Sequence, residues 1–437
     1  MRTLFLTHRL PYAPNRGDRI RAFHLLQAIA SFSDVDLVSL VHDREEASHV
    51  KDLAQLAHVS SVPVSRRRNL LLAAPSLLGA TPLTHVLLDS PSLQSSLERA
   101  RARQPDVVLA YCSGMARFAL TPSLNHLPFV LDMVDVDSYK WACLADTVPW
   151  PFRPVYRREA RTLRVFEALA TRRARATLVV NDREREALQG IVPGATIAVV
   201  PNGIDVSAFE RPWKGLPRRD QGMVVFCGVM DYPPNEQAVL WFGREVWPLV
   251  LGQCPDACFL VVGSNPTSAL RTLAAELPNI QVTGSVARVQ PFLWRATVSV
   301  APLQVARGVQ NKVLEALAAG LPVVTTPAVM EGLPIEAWPA CAVGHDVQGF
   351  ARSVLRLLKM TQCQRDAIVA QADLTQLGWK RRLDPIREIL SGVARSQSTQ
   401  LQQSGNSVVR GKPDDPLRAV APQGADAMRY IPPYART

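Results

Sequence analysis

No run of about 18 consecutive apolar residues occurs in the 437-residue sequence, which argues against a membrane-crossing helix. The nearest approach, residues 70–80, is interrupted by Pro75 and led by Arg66, Arg67 and Arg68. A secretory leader is missing as well: the apolar run 3–7 is closed by His8 and Arg9, short of the roughly 7 to 15 apolar residues such a segment needs, so no export is expected. Cysteine is sparse, with seven residues scattered from Cys112 to Cys363, an odd set that suits a reducing cytoplasm better than a disulfide framework. Cys254 and Cys258 form the one close pair, and without a histidine nearby they read as ordinary thiols rather than half of a zinc site. Absent too is any basic motif interleaved with aromatics, which sets nucleic acid aside as a partner. Charged residues make up only 20% against 47% hydrophobic, a globular composition rather than a disordered or fibrous one.

The length exceeds one ordinary core and leaves room for two domains with some excess. Basic residues dominate the charge, with a net +11, which favours anionic partners. Both basic clusters lie in the first half. One is Arg66 to Arg68; the other, residues 153–175, carries Arg153, Arg157, Arg158, Arg161, Arg164, Arg172, Arg173 and Arg175 against only Glu159 and Glu167. Cationic heads beside apolar neighbours suit adsorption to an anionic membrane surface. A solvated helix face has the same pattern, and both readings stay open.

Strands and helices alternate from the start. Residues 3–7, 35–41, 106–111, 129–131, 177–180 and 197–200 read as strands, with helices at 17–30 and 163–174. Such alternation predicts an α/β parallel sheet covered on both faces. The turn Pro201-Asn202-Gly203 and the Pro-, Gly- and charge-rich run 211–222 place a linker at 206–222, after a first domain of 1–205. Strands at 223–227, 258–262, 280–282, 298–301 and 323–325, with helices at 236–251 and 312–319, repeat the architecture over 223–378. Open α/β sheets bind ligands at the carboxyl ends of their strands, so the site is expected between the domains. Residues 391–437, rich in Ser, Gln, Pro and Gly without hydrophobic periodicity, read as a disordered tail.

The stretch 307–324 is the most informative. It runs from a loop into a helix and from Gly320 into another strand. Gly308 lets the backbone approach a ligand, and the helix start offers free N–H groups and a positive dipole end that favour a diphosphate. On the helix, Val313, Leu314 and Leu317 form the core stripe and leave Glu315 to one side. A carboxylate there is either solvated or, in a cleft, an acceptor for both hydroxyls of a ribose.

Residues 307–324, together with 200–205 and the opening stretch 11–18, resemble the GT-B glycosyltransferases of family 4, in the variant associated with bacterial exopolysaccharide and PEP-CTERM/exosortase gene clusters. The resemblance covers about residues 2–390. It implies two Rossmann-like parallel-sheet domains facing a cleft, a helix at 379–390 crossing back to the first domain, and a nucleotide-sugar donor held by the second. By this pattern Glu315 holds the donor ribose. Where the family has a second glutamate, eight residues earlier, this chain has Arg307, and a guanidinium there suits a phosphate or an acidic sugar. The Arg and Lys that the family commonly places near 228–235 are missing too, which makes Arg307 and Lys312 candidates for the lost charge. The expected donor-binding set is Gly17, Asp18, Gly228, Gly308, Asn311, Lys312 and Glu315; the expected catalytic set is Asp135, Arg307 and Glu315.

Other positions carry two readings each. Gly17 and Asp18, with Arg19 and Arg21 behind them, either approach the donor or merely start a helix. His8 either faces the cleft or is structural. Asp132, Asp135 and Asp137 stand where relatives often have a histidine that contacts the transferred sugar; Asp135 is favoured to reach the cleft, and magnesium held by the cluster is the rival reading. The resemblance further implies retention of anomeric configuration, no metal or other cofactor, a saccharide acceptor that is lipid-linked in exopolysaccharide biosynthesis, and a cytoplasmic enzyme peripheral on the inner face of the plasma membrane. The alternatives are a nucleotide-sugar-binding scaffold without turnover, suggested by Arg307, and a nucleotide-sugar epimerase.

Overall fold

Short Val- and Leu-rich runs, buried on both faces, build the two sheets of the protein, as expected for strands covered by helices on each side. The computed structural model describes residues 1–12, 17–212, 219–306 and 309–407. The first sheet holds β1 (Arg2–Thr7), β2 (Asp34–Val41), β3 (His58–Pro63), β4 (Val107–Tyr111), β5 (Phe129–Val134), β6 (Ala176–Val179) and β7 (Ile197–Val199), in the order β3-β2-β1-β4-β5-β6-β7. The second holds β8 (Met223–Cys227), β9 (Cys258–Val262), β10 (Ile280–Val282), β11 (Val298–Ala301), β12 (Val323–Thr325) and β13 (Cys341–Val343), in the order β10-β9-β8-β11-β12-β13. All pairings between these strands are parallel.

The expected doubly covered architecture is therefore present twice, with two additions. β3 and β13 both lie at sheet edges; the first is half polar and the second three residues long, so neither carries a buried apolar run. The helix expected over 236–251 is divided into Pro233–Trp241, a π-helical turn at Phe242–Val246 and Trp247–Leu251. Pro248 lacks the N–H that a continuous α-helix would use there, and the turn widens just before it.

Two stretches of chain pass between the sheets, and they are tied together. Ile204 N–H donates to Leu377 O at 2.8 Å, and a Cβ on Gly203 would lie 2.5 Å from Trp379 Cα, so only glycine fits. Beyond this tie the helix Trp379–Ser407 begins. Trp379, Leu383, Ile386 and Leu390 recur at helical spacing and join the first sheet's core beside Leu25, Leu26 and Ile29. The helix runs past the expected boundary at 390: Val393 and Ala394 still pack on this core, so residues 391–407 are helical where an irregular tail was expected. Residues 408–437 of that expected tail lie outside the described residues. No helix of the described residues is long and apolar enough to cross a membrane.

Candidate active site

Open α/β sheets bind ligands where the strand order reverses, because neighbouring loops there diverge and leave a crevice. That point lies between β1 and β4 in the first sheet and between β8 and β11 in the second. Both crevices are furnished with polar side chains.

In the second, β8 ends at Cys227 and the chain turns at Gly228, whose N–H donates to Val262 O at 3.0 Å. Gly263 follows β9 so closely that a Cβ there would lie 1.6 Å from Gly228 O. The helix Pro233–Trp241 returns Asn235 to this turn, where Nδ2 donates to Val229 O at 2.9 Å. From the opposite side, Lys312 in the helix Asn311–Ala318 donates from Nζ to Asn235 Oδ1 at 2.5 Å, and the ammonium sits 4.5 Å from the Phe226 ring centroid. A Cβ on Gly228 would approach Lys312 Nζ to 3.4 Å. A cation thus stands beside the turn whose own segment carries none.

Glu315 lies one helical turn on from Lys312. Val313, Leu314, Ala316 and Leu317 are buried in the core, which leaves Lys312 and Glu315 on the partly open side. Burial pushes the Glu315 carboxyl up to about 7 against the pull of Lys312, and it pushes the Lys312 ammonium down to about 8. Burial, with the Glu315 charge nearby, holds the Cys227 thiol up at about 12, so it is a neutral wall. Asn311, at the first position of the helix, keeps its Oδ1 buried without a hydrogen-bond partner. Arg307 and Gly308, expected beside this helix start, lie outside the described residues.

In the first sheet, His8 follows β1 and stacks on Tyr111 with centroids 5.7 Å apart. Its Nδ1 is 3.5 Å from the Sγ of Cys112, a thiol that burial pushes up to about 12. Cys112 has φ 68° and Val134, closing β5, has φ 65°. For a β-branched residue this conformation is rare and costs of order 1–3 kcal/mol, a kind of strain that gathers at functional sites. Cys112 N–H donates to Asp132 O at 2.8 Å, two residues before Val134 on β5.

The three aspartates do not converge. Asp132 is sealed against Arg21, whose Nε and Nη2 donate to its carboxylate at 2.8 and 3.2 Å. Asp137 accepts from Ser113 Oγ at 2.8 Å. Asp135 alone is exposed. Among the described residues no three His, Cys, Asp or Glu side chains are placed to hold a metal ion. Gly17 and Asp18 open the helix Gly17–Ala30, and their side-chain surroundings lie outside the described residues. Arg19 is taken up internally: it donates to Tyr12 Oη at 2.6 Å and pairs with the buried Glu46. Burial alone would raise the Glu46 carboxyl, but the His42 N–H and the Arg19 and Arg9 guanidiniums outweigh it and hold the group below its ordinary value.

Between the halves, Val180, Asn181 and Val199 from the first and Ala306, Val309 and Glu331 from the second line a cavity of about 500 Å³. Arg382 of the crossing helix donates to Glu336 at 3.2 Å at its edge. Asn235, Cys112 and Val134 were not singled out from the sequence. A polar residue just after Pro233 and Pro234 is a weak hint for Asn235, whereas no residue pattern foretells left-handed backbone at a valine.

The chain resembles the solved structure of HepE from Anabaena in complex with UDP and glucose, with 16% identity, TM-score 0.61, and 90% of this chain and 100% of that one covered. Sucrose-phosphate synthase from Thermosynechococcus elongatus matches with 15% identity, TM-score 0.56, and coverage of 93% and 100%. WaaG, a glycosyltransferase involved in lipopolysaccharide biosynthesis, matches with 16% identity, TM-score 0.57, and coverage of 89% and 100%. No curated protein sequence matches the chain. Likeness at such identity shows the fold, which is GT-B. Residues 17–203 match the glycosyl transferase 4-like domain, and residues 221–360 match the glycosyl transferases group 1 family. With both halves of the fold matched over well more than half its length, the chain belongs to the group 1 glycosyl transferases and is a glycosyltransferase.

Proposed function

We propose that the enzyme takes a sugar from a nucleoside-diphosphate sugar bound at the β8/β11 crevice and passes it to a saccharide held against the first domain. The observation that carries the reading is the meeting of Lys312, Asn235, Gly228 and Glu315 at the start of one helix. The bare turn at Gly228 admits a diphosphate, the free N–H groups of the helix and the Lys312 ammonium neutralise it, and Glu315 accepts from the ribose hydroxyls. Asp135, exposed beyond β5, is the acceptor-side group. Transfer with retention requires no dedicated base. The acceptor oxygen bonds to the anomeric carbon as the bond to the diphosphate oxygen breaks on the same face, and the departing diphosphate takes the acceptor's proton. The residues supply orientation and charge stabilisation.

The test is thermal unfolding of the purified protein with uridine, guanosine, adenosine and thymidine diphosphate sugars, uridine first because HepE is seen with UDP. One nucleotide class is expected to raise the unfolding midpoint. No shift with any of the four, in folded protein, sinks the donor-site reading.

The acceptor reading is a lipid-linked saccharide, with the enzyme peripheral on an anionic membrane. Supporting it, the helix Arg66–Ser76 is inverted relative to a soluble surface helix. Asn69 is buried and donates to the carbonyls of Leu87 and Asp89 at 3.0 and 2.7 Å, while Leu71 is 78% and nearby Leu78 95% exposed. Arg158 ties this segment to the second basic cluster by donating to the carbonyls of Ser76, Leu77, Gly79 and Thr81. The helix Arg153–Arg173 adds exposed Arg157, Arg161 and Arg164, with Val165 70% exposed. Leucines outward among arginines match an anionic lipid interface. Sedimentation is expected with vesicles of phosphatidylcholine mixed with phosphatidylglycerol, and not with phosphatidylcholine alone. Leu71→Ser with Leu78→Ser should weaken it more than about tenfold, since each leucine contributes about 1.5–3 kcal/mol on burial. Equal binding by that variant would refute insertion of this face.

A further inference from the structure

We infer that Arg21 and Asp132 form a positioning unit that presents Asp135 to the cleft and registers it against the crossing between the two domains; the inference rests on the acceptor-side reading of Asp135. Both residues are buried, with Asp132 fully inaccessible, and neither touches the cleft. A buried ion pair is a weak device for stability, because desolvating two charges offsets most of their attraction. What it supplies is geometry. The Arg21 guanidinium is bound on two sides: Nε and Nη2 reach Asp132, and Nη1 donates to Val200 O at 2.9 Å and Asn202 Oδ1 at 3.1 Å.

Each side leads somewhere. Asp132 Oδ1 also accepts the N–H of Val134 at 3.3 Å, the residue held at φ 65°, and the pairing of β5 with β6 shifts register between Asp132 and Val134. This irregularity turns the strand end so that Asp135 is exposed while Val136 is buried. From beyond, Glu184 accepts Val136 N–H at 2.7 Å, so the segment 132–136 is pinned at both ends. On its other side the guanidinium grips Val200 and Asn202, and the chain leaves for the second domain two residues later through the Ile204–Leu377 tie. Rotation of the second domain therefore bears on the segment that carries Asp135. A lysine cannot reproduce this, since the grip needs a planar fork with several donors.

The test uses the full-length enzyme with Asn202→Ala, Arg21→Lys and Asp135→Ala. Two readouts are taken: amide hydrogen exchange over 132–136, and release of nucleoside diphosphate from the four nucleotide sugars named above. Asn202→Ala is the mild variant that leaves the ion pair whole. The inference expects faster exchange over 132–136 in Asn202→Ala and Arg21→Lys, with kcat at least about tenfold lower and donor KM unchanged. Exchange equal to that of the parent protein in both variants overturns it, as does a fall confined to KM. If Asp135→Ala keeps full kcat, the reading of Asp135 fails instead, and the exchange data alone then decide whether the pair pins the segment.

Discussion

Glu315→Ala is expected to abolish most of the thermal stabilisation conferred by a nucleoside-diphosphate sugar. A ligand at 100 times its Kd stabilises the folded state by about 2.7 kcal/mol. Two hydrogen bonds from ribose hydroxyls to a carboxylate, at about 1.5–3 kcal/mol each, would cost about 100-fold or more in affinity when lost. At the same ligand concentration the stabilisation then falls to about 0.4 kcal/mol. The free protein should keep its fold, since Glu315 stands on the partly open side of its helix. The carboxyl sits at about 7 and the Lys312 ammonium at about 8. Binding needs the first deprotonated and the second protonated, so nucleotide affinity should peak between pH 7 and 8 and fall on both sides. Without ligand the sign is different. The Glu315 contribution to stability is present below the ordinary carboxyl value of 4.5 and lost as pH rises through about 7. Calorimetric titration across this range checks the peak, and Glu315→Gln should remove its acidic limb. A full shift retained in Glu315→Ala would place the nucleotide elsewhere.

The second large effect is on stability. Asp132→Ala leaves Arg21 buried with two of its donors unpaired, and stranding a buried charge costs about 3–5 kcal/mol. Asp135→Ala, at an exposed position, should stay within about 0.5 kcal/mol of the parent protein. The contrast is sharpest in denaturant unfolding, where the first variant shifts the midpoint and the second does not. Replacing both partners with apolar residues, Arg21→Met with Asp132→Leu, should recover most of the loss, because no charge is then stranded. Failure of the double replacement to recover would mean that the Val200 and Asn202 contacts, not the pair, carry the stability.

What could be read from the sequence follows a physical division. β8 to β12 match their expected bounds to the residue, because each is a short run dominated by apolar, mostly β-branched residues between turns. β3 escaped because half of its residues are polar, and β13 because its three residues centre on Ala342, a weak strand former. The crossing helix was expected to 390 from the family resemblance, and its extension was not, since Ser391 and Gly392 mimic the start of an irregular tail while Val393 and Ala394 go on packing. At the site, Lys312 and Glu315 are neighbours on one helix, so local periodicity brings them together. Asn235 is 77 residues from Lys312 and Arg21 is 111 from Asp132; pairs at such separation exist only once the sheets are assembled. Backbone conformation is further still from composition, as Val134 shows.

The helix Trp379–Ser407 also bears on the order in which the molecule is made. Trp379, Leu383, Ile386 and Leu390 complete a core whose other members, among them Leu25, Leu26 and Ile29, leave the ribosome more than 300 residues earlier. Domains usually fold as units in the order of synthesis. Here the earlier domain has to wait for residues 379–394, holding a greasy flank open throughout translation of the later one, and the last helix among the described residues is the one that closes it.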